Sequence, residues 1–249
     1  MSKINNISCV IISKNSELTI KDTLESLKDF QDIVVYSNNS TDNTENILKD
    51  YLNVTLIQGK FIGFGATKNQ ATTYAKNDWI LSLDSDELLP LELIEELKEI
   101  NLKNSQEVFL LKRDNYFLGK KIVYSGWGKD FLVRLYNKKE HQFNNNMVHE
   151  KIELKENTKV TQLSHSFKHN AVQDINQFLQ KIIVYSELAS KDKKTCSLFV
   201  VIFKSLFAFF KTYFLQLGFL DGWRGVVIAI SNFNGKFFRY MKRYINCKK

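Results

Sequence analysis

Over its first 84 residues the chain alternates short apolar runs with helix-period stretches, and that rhythm leaves few folds open. Ile7–Ser13 is an apolar strand, and residues 16–27 set Leu18, Ile20, Leu24 and Leu27 on one helical stripe. Residues 32–37 form a second strand. The turn and cap residues Asn38, Asn39, Ser40, Thr41 and Asp42 follow, then a helix to about Tyr51. Val54–Gln58 is a third strand, 68–76 a helix and 79–83 a fourth strand. Strands alternating with helices of this length predict βαβ units and a parallel sheet. Ligands of such sheets sit at the carboxyl ends of the strands, where Asn15, residues 37–40 and residues 84–86 fall.

The fourth strand runs straight into three carboxylates, Asp84, Asp86 and Glu87. Side chains alternate along a strand, so Asp84 and Asp86 are expected on one side of its end. Like charges that close resist joint ionisation. A hard divalent cation shared with phosphate oxygens compensates them, because Mg²⁺ is usually held by one or two carboxylates plus substrate phosphates. The bland alternative is helix capping: Pro90 with Glu92, Glu95 and Glu96 reads as a helix start.

Beyond residue 100 the pattern turns mixed. Residues 107–112 and 121–124 read as strands, and the turn Gly126-Trp127-Gly128 leads into another over 131–136. A helix is expected over 174–189. Residues 197–220 are very apolar and Phe-rich, broken by Lys204 and Lys211 on one helical face. Central lysines suit a spanning helix poorly. An in-plane amphipathic helix fits better, and burial against a partner subunit is the alternative. Residues 1–180 carry 22 Lys and Arg against 24 Asp and Glu, whereas 181–249 carry 13 against 3. The net charge of +8 therefore belongs to the last quarter, which points to an acidic partner, anionic lipid or nucleic acid. Cys9, Cys196 and Cys247 offer no disulfide framework and no zinc spacing, so a reducing, cytoplasmic setting is expected. No leader pattern precedes the first strand.

Several ordered motifs then carry a resemblance. Residues 7–15, the stretch from Ile33 through Ser37, Asn38 and Asn39 to Thr44, and Gly63 to Asn69 resemble family 2 glycosyltransferases. So do Asp78 to Glu87, Gly126-Trp127 to Asp130, Arg134-Leu135-Tyr136, Val148-His149-Glu150, His165-Ser166 and Leu217 to Gly225. The set is similar to the branch of lipopolysaccharide-core β-1,4-glucosyltransferases. Charge and apolar pattern make 191–249 a basic, amphipathic helical extension that binds a membrane or a partner. The resemblance implies an α/β chain of GT-A fold, with a mixed Rossmann-like nucleotide-binding sheet over 1–190. It implies an inverting transfer of a hexose, glucose from UDP-glucose, to a core sugar of lipopolysaccharide or lipooligosaccharide, on the inner face of the cytoplasmic membrane.

The implied roles follow residue by residue. Ser13, Asn15, Ser37, Asn38, Lys68, Asp84 and Ser85 would contact the nucleotide sugar, with Lys68 otherwise a solvated helix lysine. Asp86 and His165 would hold Mg²⁺ or Mn²⁺, with His169 and His149 as rivals to His165. Glu150 would be the base, with Asp130 the second candidate. The family usually has an Asp where this chain has Ser37, which supplies one hydroxyl and no carboxylate. The partners implied are a UDP-hexose donor, a lipid-linked saccharide acceptor and an anionic membrane, with no nucleic acid, and the C-terminal helices could also join two copies. A polyprenyl-linked or capsule glycan is the alternative acceptor. A nucleotidyltransferase or a basic nucleic-acid-binding protein are the alternatives of other classes.

Overall fold

The computed structural model describes residues 3–146, 150–190 and 197–248. Strands β1 (Ile7–Ser13), β2 (Ile33–Ser37), β3 (Val54–Gln58) and β4 (Trp79–Asp84) are parallel, in the order β3-β2-β1-β4. β1 and β2 are buried at every position, as continuous apolar strands covered on both faces must be. Alternation splits their side chains: Ile7, Cys9 and Ile11 join one core with Leu24, Leu27 and Leu83, while Val10 and Ile12 join another with Tyr36, Ala71 and Ile80. Helices α1 (Ile20–Ser26), α2 (Thr44–Leu48) and α3 (Phe64–Thr72) make the crossovers. The register sets Ser13 opposite Ser37 and Ile12 opposite Asp84, so the carboxyl ends of three strands lie side by side.

After β4 come β5 (Glu87–Leu88), α4 (Leu91–Glu99), β6 (Glu107–Phe117), β7 (Lys120–Lys121), β8 (Phe131–Asn137) and β9 (Lys159–Val172). They extend the sheet as β4-β8-β6-β9-β5, with β7 on β6, and β8 runs antiparallel to β4 and β6, β7 to β6, and β9 to β5. The sheet is mixed α/β, as expected. β9 has no counterpart in the sequence reading: its fourteen residues bury only Leu163, Phe167 and Val172, too few for an alternating signal. α3 starts four residues before the expected position, because Gly63 turns the chain at φ +110° and Thr67 Oγ1 accepts from Ile62 N–H at 3.1 Å.

The chain divides into two compact units, 1–113 with 131–169, and 114–130 with 170–249. The second unit holds α5 (Ile175–Ser190), α6 (Leu198–Phe210), a π turn at Lys211–Leu215, a 3-10 turn at Gly218–Asp221 and α7 (Trp223–Asn246). Its core gathers Phe117, Ile122, Val172 and Ile228. The buried Asp221 carboxylate closes the 123–125 turn, accepting from Val123 N–H, Tyr124 N–H and Ser125 Oγ at 2.7–3.2 Å. α5 and residues 114–130 belong to the same compact unit as the C-terminal helices.

Candidate active site

An ion network built on the buried Lys68, Arg134 and Glu87, with Asp84 partly open to solvent, occupies the carboxyl end of β4. Lys68 stands one turn into α3, and only 2% of it is exposed. Its Nζ lies 2.9 Å from Asp84 Oδ1 and 2.9 Å from Glu150 Oε1, and 5.2 Å from the centre of the Phe143 ring. It is therefore not the solvated helix lysine that spacing alone permits. An ammonium this deep needs opposite charge beside it, and two carboxylates supply it. The segment bearing Glu150 approaches α3 closely, since a Cβ on Gly65 would lie 1.9 Å from Asn144 O.

Arg134, buried on β8, ties the other side. Its Nη2 donates to Asp84 Oδ2 at 3.0 Å and to Glu87 Oε1 at 2.5 Å, while Asp84 N–H donates to Glu87 Oε2 at 2.9 Å. Burial works to raise the Asp84 pKa, but Lys68 and Arg134 outweigh it and hold this carboxyl well below its usual range. Burial dominates at the fully enclosed Glu87 and pushes its carboxyl up. Beyond its place in a motif, Arg134 is a lone guanidinium in the apolar run Phe131-Leu132-Val133-Arg134-Leu135-Tyr136, itself a signal of a buried acidic partner.

Asp86 separates from Asp84. β4 ends at Asp84 and residues 85–86 form a turn, so strand alternation does not reach Asp86. Its Oδ2 lies 3.5 Å from His169 Nε2. The register explains this: β5 pairs with β9 so that Glu87 faces His169. His165, the histidine favoured by resemblance, lies four residues earlier on β9, about 13 Å along a strand. There its Nδ1 meets Glu96 Oε2 at 2.9 Å, and its N–H donates to the same oxygen at 3.0 Å. The structure thus places His169, not His165, beside Asp86. His149 lies outside the described residues.

The remaining candidates line the ends of β1 and β2. Ser13 Oγ donates to Ser16 Oγ at 3.0 Å, and Ser16 Oγ meets Ser85 Oγ at 2.7 Å, a chain of hydroxyls from β1 to the loop after β4. No sequence motif singles out Ser16, which only these contacts bring to the site. Asn15 adopts the left-handed φ of +51°, which Asn tolerates better than most residues. Its Oδ1 accepts from Thr41 N–H at 2.8 Å, and its N–H donates to Ser40 Oγ at 3.1 Å. Asn38 N–H donates to Ser13 O at 2.8 Å, and Asn38 Oδ1 is buried without a hydrogen-bond partner. Ser37 Oγ donates to Glu45 Oε1 at 2.6 Å, and the other oxygen of Glu45 accepts from Gln58 Nε2. A carboxylate therefore stands beside Ser37 after all, delivered by α2. Asp130 belongs to the second unit, where Asn115 Nδ2 donates to its Oδ2 at 3.0 Å.

Among the described residues no three His, Cys, Asp or Glu side chains group as a metal cage. Asp86 Oδ2 and His169 Nε2 nevertheless fit as two adjacent ligands. Neighbouring ligands of an octahedral ion at about 2.1 Å lie roughly 3 Å apart, and Mg²⁺-type sites take their remaining ligands from phosphate and water.

Comparison with known proteins places this arrangement. Residues 8–167 match the family model described as Glycosyl transferase family 2. An uncharacterised glycosyltransferase of Rickettsia typhi is 30% identical over 95% of this chain and 86% of its own length. The glycosyltransferase SunS of Bacillus subtilis is 37% identical over 34% of this chain and 21% of its own. Among solved structures, S. aureus TarS in complex with UDP-GlcNAc aligns at 16% identity with a TM-score of 0.47, over 98% of this chain and 88% of that one. With a family match over well over half its residues and a relative of this identity along nearly all of them, the chain belongs to glycosyl transferase family 2.

Proposed function

We propose that this nucleotide-sugar transferase moves a hexose, glucose from UDP-glucose, with inversion onto a lipid-linked saccharide of the lipopolysaccharide-core type, and that Glu150 is the base. The observation that carries the reading is Lys68, whose ammonium joins the strand-end Asp84 to Glu150. That bond holds a proton acceptor beside the end of the sheet where donors bind, and geometry is the first requirement of a general base.

The UDP moiety would lie across the ends of β1 and β2. Asn38 Oδ1, a buried acceptor with no partner, suits an N–H of the base. The Glu45 carboxylate held by Ser37 and Gln58 adds a second acceptor close by. Asp86 and His169 would hold Mg²⁺ or Mn²⁺, which when bound stabilises the negative charge growing on the departing diphosphate. Lys68 keeps Oε1 of Glu150 oriented and leaves Oε2 to take the proton of the attacking hydroxyl. One base and no covalent intermediate give inversion, so an α-linked donor yields a β-linked product.

The test is a screen of UDP-hexoses for UDP release in Mn²⁺ or Mg²⁺, with and without core oligosaccharide acceptor. Glu150→Gln is expected to bind UDP-sugar like the wild type and to lose about 10²–10⁴-fold in transfer rate, the range of general base catalysis. Full transfer activity in that variant removes Glu150 as the base.

A further inference from the structure

Helix α6 faces the wrong way for a soluble helix. Its covered positions are Val201 and Ser205, followed by Thr212 in the π turn, where Asn232 Nδ2 of α7 donates to Thr212 Oγ1 at 2.9 Å. Its open side carries Phe199, Ile202, Phe203, Leu206, Phe207 and Phe210, and Phe199 is 75% exposed. Spaced three or four apart, these make one stripe. Phe199 stacks on Phe203 and Phe203 on Phe207, at 6.0 and 6.5 Å between ring centres. The exposed Phe214, Phe219 and Leu220 continue it. Aromatic side chains bury roughly 150–250 Å² each. Half-exposed, several of them reach or pass the roughly 300–600 Å² of a typical monomer's largest apolar patch.

We propose that this stripe is a docking surface for an anionic lipid bilayer, lying in the plane of the headgroups. The charge of the segment that bears it selects that occupant, since residues 181–249 hold 13 Lys and Arg against 3 Asp and Glu in sequence. Anionic headgroups attract such a segment. A second copy meeting it face to face would bring like charges together, because a two-fold interface apposes the same patch on both subunits. By length and composition residues 198–215 are also apolar enough to cross a membrane. The packing argues for the in-plane pose. α6 lies along α7, whose Arg224, Lys236, Arg239, Lys242 and Arg243 cannot follow it into hydrocarbon. The exposed Lys211 sits at the stripe's edge, as in interfacial helices.

This surface rests on the proposed lipid-linked acceptor for its purpose, and its test is scored apart from UDP release. The full chain is mixed with phosphatidylcholine vesicles with or without phosphatidylglycerol, then sedimented. Expected is sedimentation with the anionic vesicles that fades as salt rises, and a partition at least about tenfold weaker for the triple variant Phe199→Ser, Phe203→Ser, Phe207→Ser. Lys211→Glu is expected to weaken binding to anionic vesicles alone, which keeps the proposal testable if the triple variant fails to fold. A far-UV circular dichroism spectrum and a urea midpoint equal to wild type certify that a variant is folded. Wild-type protein left in the supernatant overturns the proposal, as does a folded triple variant that sediments like the wild type. A dimer in sedimentation velocity that the triple variant dissociates, with no vesicle binding, assigns the stripe to a second copy instead.

Discussion

His165 and His169 differ by four positions, which keeps them on one face of β9 but about 13 Å apart. Proximity to Asp86 therefore separates them, and their effects on metal binding should separate too. His169→Ala is expected to weaken Mn²⁺ binding in the presence of UDP about tenfold or more, while His165→Ala leaves it near wild type. Titration of each variant by Mn²⁺ electron paramagnetic resonance checks this, and equal losses would remove the assignment. Lys68 makes a different residue-scale prediction. Removing one partner of a buried ion pair typically costs about 3–5 kcal/mol, because the other charges remain buried. Lys68→Met is expected to approach that range in urea unfolding, since Met and Lys are equal helix formers and the change tests the charge alone. A change below about 1 kcal/mol would mean that Asp84 and Glu150 are hydrated without it.

Among the elements, α3 matters most, because it brings Lys68 to the site. Its early start depends on Gly63, and its docking depends on Gly65, whose missing Cβ leaves room for Asn144 O. Gly65→Ala must push the helix from the segment that carries Glu150. The expected outcome is a loss of roughly 1–3 kcal/mol, as for other overpacked sites, and a fall in transfer rate larger than any fall in UDP affinity. Unfolding midpoints and separate measurements of UDP binding and transfer check it. The parallel strands were legible because each is a continuous apolar run between turn residues. β9 was not, since it buries three of fourteen residues and takes its place from pairing with distant strands.

For the whole molecule, the linked groups at the end of β4 set a dependence on pH. Asp84 is held low by Lys68 and Arg134 against its burial, so it stabilises the fold above the ordinary aspartate pKa of about 3.9. That contribution is lost as pH falls through the lower folded value. Glu87, raised by burial, acts in the opposite sense: its contribution is present below about 4.3 and lost as pH rises through its folded value. In urea unfolding, Asp84→Asn is expected to be less stable than wild type at pH 7, with a gap that narrows below about pH 4. A gap constant with pH would show that Asp84 acts through packing alone.

By itself the sequence determined the alternating βαβ plan and the strand end at which Asp84 stands, whereas Glu150 was reached only through the family resemblance. The plan and the strand end are matters of spacing along a few residues, which backbone geometry converts directly into position, and that geometry stops at Asp84, short of Asp86. Only the tertiary structure decided that His169 rather than His165 stands by Asp86, and that Lys68 is buried between two carboxylates 16 and 82 residues away. It also decided that Glu45 of α2 is hydrogen-bonded to Ser37, and that α6 turns its aromatic side outward. Each of these is a choice of partner across the chain, made by strand register and helix docking, and no local pattern encodes it.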